Sequence, residues 1–129
     1  MTTMTTQRHS DINEQSPLGV IAGTGFYDLP ELTERETKIV DTAFGQAKCL
    51  TGLLHGRRTV FVSRHGTDHS VPPHLVNYRA NIAAMNELGV QEILAINVVG
   101  GIGPDSGDLV VVDDFVDFTK TRVSTFFDG

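Results

Sequence analysis

From Pro17 onward, apolar residues fall into short runs closed by glycine turns. Leu18-Gly19-Val20-Ile21-Ala22 comes first, and a short continuous apolar run bounded by turn residues is the pattern of a buried parallel strand. The stretch from Phe26 to Glu36 fits neither period, and Pro30 argues against a helix through its middle. Lys38 to Thr42 reads as an edge strand. Cys49 to Leu54 and Thr59 to Ser63 read as two strands of a hairpin, turning at His55-Gly56-Arg57-Arg58. The spacing predicts one helix between Pro73 and Leu88. Proline suits a first turn, Gly89 supplies the stop, and Val76, Ala80, Ala83, Ala84 and Leu88 recur at three- and four-residue intervals as one apolar stripe. Glu92 to Val99 then reads as another buried strand, and Asp108 to Val112 as a further one. Strand, helix and strand in that order make a βαβ unit with a right-handed crossover, so the fold class is α/β.

Composition narrows what such a domain does. The 129 residues suffice for one domain core, and 40% apolar with 20% charged residues is ordinary for a globular chain. Ten Lys and Arg against 16 Asp and Glu leave a net charge of −6. That balance argues against nucleic acid or an anionic membrane as partner, since both need a basic face. A single small anion needs only local positive charge. The lone Cys49 allows no internal disulfide and points to a reducing cytoplasm. No apolar stretch approaches the roughly 20 residues of a membrane-spanning helix. Residues 1–16, MTTMTTQRHSDINEQS, lack the apolar block of a signal peptide and read as a disordered leader. Residues 17–129 read as one domain without repeat or linker. The adjacent aromatics Phe126-Phe127 suggest a segment meant for burial with no closing helix after it, so the chain reads as incomplete.

The candidate chemistry sits where strands are expected to end. Arg64-His65-Gly66 follows Val60-Phe61-Val62-Ser63, placing a fixed cation and an imidazole at a strand terminus. In α/β sheets, ligands bind outside the carboxyl ends of strands, and a guanidinium holds a carboxylate or phosphate with paired N–H donors. Ala22-Gly23-Thr24-Gly25 and Val99-Gly100-Gly101 also end strands in glycine-rich loops. The first is either an amide cradle for an anion, with Thr24 adding a hydroxyl, or a plain tight turn. It matches neither G-x-G-x-x-G nor the phosphate loop with its lysine. Asn97, in an otherwise apolar strand, is either a strut for its loop or a ligand contact. His65, His69 and His74 raise a metal site as an alternative, but Pro72-Pro73 breaks any helical spacing and no metal is expected. Asn77-Tyr78-Arg79-Ala80-Asn81 is either a solvated helix face or a buttress for the Arg64 loop or a neighbouring subunit. Asp113, Asp114 and Asp117 read as a cation site or as carboxylates facing water from a strand.

Together these stretches resemble the methylthioadenosine phosphorylase and purine nucleoside phosphorylase family, in its trimeric branch. The resemblance rests on Gly19-Val-Ile-Ala-Gly-Thr-Gly25, Ser63-Arg-His-Gly66 with His69, Pro73-His-Leu-Val-Asn-Tyr-Arg-Ala-Asn81, Asn97-Val-Val-Gly-Gly101 and Phe126-Phe-Asp-Gly129. The double proline before His74 and the Asn97 loop are most similar to the bacterial S-methyl-5'-thioinosine phosphorylase subgroup. The resemblance implies a central mixed β-sheet flanked by helices, a phosphorylase-type fold of which this chain is the N-terminal part. It implies phosphorolysis of a purine nucleoside, S-methyl-5'-thioinosine first among the candidates, to a free base and 5-methylthioribose 1-phosphate. Inorganic phosphate is then a co-substrate, no cofactor is needed, and the full-length enzyme is a cytoplasmic homotrimer.

By position, the resemblance gives Thr24, Arg64 and His65 to phosphate, and Asn97, Val98 and Gly100 to the nucleoside. Two departures stand out. Ala22 replaces the first glycine of the family's Gly-Gly-Thr-Gly, and Asn97-Val98 replaces a hydroxyl residue followed by alanine. No residue here is assignable to protonating the leaving purine, so no catalytic residue is named and the chain alone is expected to be inactive. The alternative, from a different class, is a non-catalytic phosphate- or nucleotide-binding module complete at this length.

Overall fold

The computed structural model describes residues 16–25 and 29–127. Within them the chain forms β1 (Leu18–Ala22), β2 (Leu32–Thr42), β3 (Gly45–Leu54), β4 (Arg57–Ser63), a 3-10 turn (Pro73–Leu75), α1 (Tyr78–Glu87) and β5 (Glu92–Ile96). The strands make one sheet in the order β2-β3-β4-β1-β5. β1 lies parallel to both β4 and β5, whereas β2–β3 and β3–β4 are antiparallel. The sheet is therefore mixed. The leader expected over residues 1–16 lies outside the described residues except for Ser16, as do Phe26 and the last two residues.

The hairpin forms with a tighter turn than the sequence suggested. His55 and Gly56 both carry positive φ, 49° and 83°, which is the two-residue turn whose twist matches antiparallel strands. Arg57 and Arg58 thus belong to β4 rather than to the turn. The edge strand expected from Lys38 to Thr42 begins earlier, at Leu32, and bulges between Thr33 and Glu36. Arg35 holds that irregular start by donating to the carbonyls of Leu32 at 2.6 Å and Leu29 at 2.5 Å.

The helix expected between Pro73 and Leu88 is shorter. Pro72 and Pro73 support only a 3-10 turn, Val76 is extended, and Asn77 starts the helix by accepting the Ala80 N–H at Oδ1, 3.0 Å. The other end of the Asn77 amide donates to the Phe44 carbonyl at 2.7 Å, tying the cap to the β2–β3 turn. The apolar stripe does face the core: Ala80, Ala84 and Met85 are fully buried with Ala47, Cys49, Val60 and Val62. Each fully buried Val or Met side chain contributes roughly 1.5–3 kcal/mol. A second cluster on the opposite face gathers Val20, Ala22 and Phe61. Among the described residues α1 is the one α-helix, and it covers a single face of the sheet.

Two strand expectations need correction. The strand expected from Glu92 to Val99 ends at Ile96. It is not fully buried, because β5 occupies an edge of the sheet and Ile93 and Leu94 remain about half exposed. The strand expected from Asp108 to Val112 does not form; those residues have no strand partner and stand exposed. Asp113, Asp114 and Asp117 therefore lie in irregular chain, with Asp117 accepting from the Thr119 hydroxyl and amide. Of the two terminal aromatics, Phe126 packs edge-on to Phe44 at 5.2 Å, while Phe127 is exposed.

Candidate functional site

Register decides whether the three glycine-rich or basic loops meet. Ala22 of β1 pairs with Ser63 of β4 on one side and Ile96 of β5 on the other. The three strands therefore end in a single row. Gly23-Thr24, Arg64-His65 and Asn97-Val98 are the residues that emerge from it.

Arg64 spans this row. Its main-chain N–H donates to the Ala22 carbonyl at 3.0 Å, and Nη1 donates to the Ile96 carbonyl at 3.4 Å. Nε faces His65 Nε2 at 3.3 Å. The guanidinium packs against Gly23, where a β-carbon would fall 2.6 Å from Cζ and closer still to Nη2. That approach is open only to glycine, which gives the second residue of Ala22-Gly23-Thr24-Gly25 a role beyond turning the chain. His65 is buried, its Nδ1 2.9 Å from the Val71 carbonyl.

A comparison with the opposite edge shows what is unusual about Arg64. At the amino end of β4, Arg57 reaches past β1 to Glu92 at the start of β5, Nη2 to Oε2 at 2.6 Å. There the positive charge meets a carboxylate. At the carboxyl end Arg64 makes the same reach past β1 and finds only a carbonyl. Among the described residues no carboxylate pairs with it. The acid of its own loop, Asp68, is engaged elsewhere: Oδ1 accepts from the Ser70 hydroxyl at 2.7 Å and amide at 3.2 Å. The Ser70 hydroxyl, then the Ser70 amide, hold the Asp68 carboxyl below its usual range. A half-buried guanidinium with unspent donors and no carboxylate partner among the described residues has the chemistry to receive a small anion.

The remaining sequence candidates sit around it unevenly. Thr24 is exposed in the turn directly after Gly23, beyond the end of β1. Asn97 is exposed just beyond β5 rather than buried within a strand, so no internal partner is required of it. Val98 and Gly100 continue that loop into solvent. His69 stacks its ring at a tilt 5.3 Å from His65, but no three of the described His, Cys, Asp or Glu side chains are grouped to hold a metal ion. Arg79 lies over the Phe44 ring at 4.9 Å, close to the helix cap rather than at the strand ends. The carbonyls of Ile96 and Val71, which fix Arg64 and His65, were invisible in the sequence because any residue type supplies them. Among the described residues no helix is long and apolar enough to cross a membrane.

Comparison with known proteins matches residues 17–129 to the family described as Phosphorylase superfamily. A protein of Thermococcus kodakarensis named "Probable 6-oxopurine nucleoside phosphorylase" is 47% identical over 114 residues, covering 87% of this chain and 43% of that protein. One of Methanothermobacter thermautotrophicus named "Probable S-methyl-5'-thioinosine phosphorylase" is 48% identical over 118 residues, covering 86% and 41%. Among solved structures, the methylthioadenosine phosphorylase of Schistosoma mansoni in complex with adenine superimposes with a TM-score of 0.58 at 36% identity, covering 62% of this chain and 30% of that one. The chain thus spans less than half the length of the curated relatives it matches.

Proposed function

The chain belongs to the phosphorylase superfamily, and from that premise we propose that it carries the phosphate side of a purine nucleoside phosphorylase site. The single observation behind this reading is Arg64, laid across the ends of β1, β4 and β5 without a carboxylate partner among the described residues. Arg64 grips inorganic phosphate through its Nη edge. Thr24 adds its hydroxyl, and the amides of the Gly23–Gly25 turn complete the cradle. Asn97, Val98 and Gly100 line the adjoining nucleoside space from the end of β5.

The reaction that this arrangement serves is displacement at the anomeric carbon. As the bond to the purine loosens, the sugar gains oxocarbenium character. A phosphate held beneath it stabilises that charge and then attacks, forming the C–O bond as the C–N bond breaks. The electron pair leaves with the purine, which must be protonated or hydrogen-bonded at a ring nitrogen. Positioning and electrostatics supply most of the rate, with no covalent enzyme intermediate and no cofactor.

The substrate we propose is S-methyl-5'-thioinosine. The two relatives bear names that share a 6-oxopurine, since inosine and its methylthio derivative have the same base. The residues that read the base and protonate it are not assigned within these 129 residues. Assembly as a homotrimer and a cytoplasmic location belong to the same proposal and rest on the family resemblance. A non-catalytic binding module is less well supported, because residues 17–129 match the phosphorylase superfamily and the matched relatives bear phosphorylase names.

The experiment is a calorimetric titration of the chain with inorganic phosphate, followed by methylthioinosine, inosine and methylthioadenosine with phosphate present. Saturable phosphate binding, with the 6-oxo nucleosides preferred, supports the reading. Absence of phosphate binding to the folded chain overturns it.

A further inference from the structure

The sheet face that carries α1 is only partly covered. α1 packs on Ala47, Cys49, Val60 and Val62 and ends at Glu87, leaving the start of β4 and the strands beside it open. There a groove of about 270 Å³ runs from Pro17 and Leu88 across Arg58 and Gly52 to Glu34 and Glu36. Arg58 stands at the amino end of β4, so the groove lies at the opposite end of the sheet from the anion site. Register sets its direction. Leu18 pairs with Thr59 and Thr59 with Gly52, and the bulge of β2 closes in beyond. A β-carbon on Gly52 would collide with the Thr33 carbonyl, so glycine admits the bulge and leaves the groove floor without a side chain.

The walls carry charge in a set order. Lys38 and Glu36 pair with each other at 3.3 Å. That leaves Arg58 on β4 and Glu34 on β2, and among the described residues neither side chain has an ion-pair or hydrogen-bond partner. A third unmet group marks the near end. Ser16 is 7% exposed, yet its hydroxyl has no partner among the described residues. A buried hydroxyl in that position calls for a polar group beside it.

We propose that this groove docks the chain's own preceding segment, residues 8–15, laid from Ser16 across β4, β3 and β2. The segment enters at the groove's own wall, because it is continuous with Ser16 and Pro17. Three strand spacings make a crossing of about 14 Å, and eight extended residues reach about 26 Å, so Arg8 has chain to spare. The charges fall in complementary order. Outward from Ser16 the segment presents Glu14, Asp11 and then Arg8. Outward from Pro17 the groove presents Arg58 and then Glu34. Glu14 thus faces Arg58, and Arg8 faces Glu34. The proposal does not depend on the phosphorylase-site reading.

Proteolysis of the 129-residue chain tests it, because cleavage of a docked segment tracks the fraction of time it is free. An arginine-specific protease, followed by mass spectrometry, cuts after Arg8 about tenfold more slowly in the intact chain than in a synthetic peptide of residues 1–16. Arg58→Glu brings cleavage close to the peptide rate, and Glu14→Lys in that background restores the protection. Glu14→Lys alone also loses it without touching the sheet, so a folding failure of Arg58→Glu, seen in a melt, leaves the test standing. Cleavage of the intact chain at the peptide rate overturns the proposal. So does protection that survives both single substitutions, or that fails to return in a folded double variant. Protection that grows with chain concentration, alongside association in light scattering, assigns the groove to a second copy and overturns it as well.

Discussion

Gly23 and Arg64 occupy each other's space: the guanidinium lies where the β-carbon of any other residue would stand, 2.6 Å from Cζ. The backbone of Gly23 does not require glycine, since its φ lies outside the left-handed range. Space alone excludes a side chain there. Gly23→Ala is therefore expected to leave the fold intact and push Arg64 off the strand ends. Phosphate affinity falls by roughly tenfold, equivalent to about 1.4 kcal/mol of lost charge-assisted bonding, while the melting temperature changes little. Calorimetry and a thermal melt on the same sample separate the two effects. A variant that binds phosphate as tightly as wild type contradicts the packing of Arg64 described above.

Much of the strand framework around Arg64 was legible before the structure. Apolar runs closed by glycine gave β1 and β4 nearly to the residue, because a buried strand and its turn chemistry are both local signals. That Ala22, Ser63 and Ile96 share one row was not local. It depends on pairing between strands far apart in sequence, for which spacing carries no information. The helix start was misjudged because Pro73 resembles a first-turn proline, while the competing cap at Asn77 gains a second bond to Phe44 that no sequence pattern announces. The run from Asp108 to Val112 has strand composition but no strand beside it, so propensity had nothing to pair with. His65 was visible as chemistry, but its two partners are a main-chain carbonyl and the neighbouring arginine, so its orientation was not.

Asn77 joins α1 to the β2–β3 turn through opposite ends of one amide. Asn77→Ala loses both bonds and is expected to cost about 1–2 kcal/mol by denaturant unfolding, at the upper end for a helix cap. Asn77→Asp keeps the acceptor for Ala80 and loses the donor to Phe44, and should recover part of that. If the aspartate variant is no more stable than the alanine variant, the cap bond to Ala80 contributes nothing.

Cys49 is fully buried between the sheet and α1, and burial pushes its thiol from about 9.0 up to about 11. The folded chain keeps this proton at a pH where the unfolded chain releases it. Its contribution to stability is therefore complete below pH 9 and declines as pH rises from about 9 towards about 11. Cys49→Ala is expected to flatten that part of the stability–pH curve, measured by urea unfolding at several pH values. The same burial predicts slow labelling by thiol reagents at neutral pH in the folded chain and fast labelling in urea. Prompt labelling without denaturant contradicts it.

The reading of the chain as the phosphate side of the site also predicts a negative result. Incubated alone with methylthioinosine and phosphate, the 129-residue chain should release no free base, because no group assigned here protonates the purine. Release of hypoxanthine at ordinary enzyme rates, followed by chromatography, would place a competent acid within these residues and reject the division of labour proposed.

The most direct test of the anion site is phosphate titration of wild-type, Arg64→Ala and Arg64→Lys chains, with sulfate as a second anion. Loss of the guanidinium should cost roughly 1.5–3 kcal/mol, more than a tenfold fall in affinity, and lysine should restore only part of it because it lacks the planar fork. Unchanged phosphate affinity in folded Arg64→Ala would contradict the account at its centre.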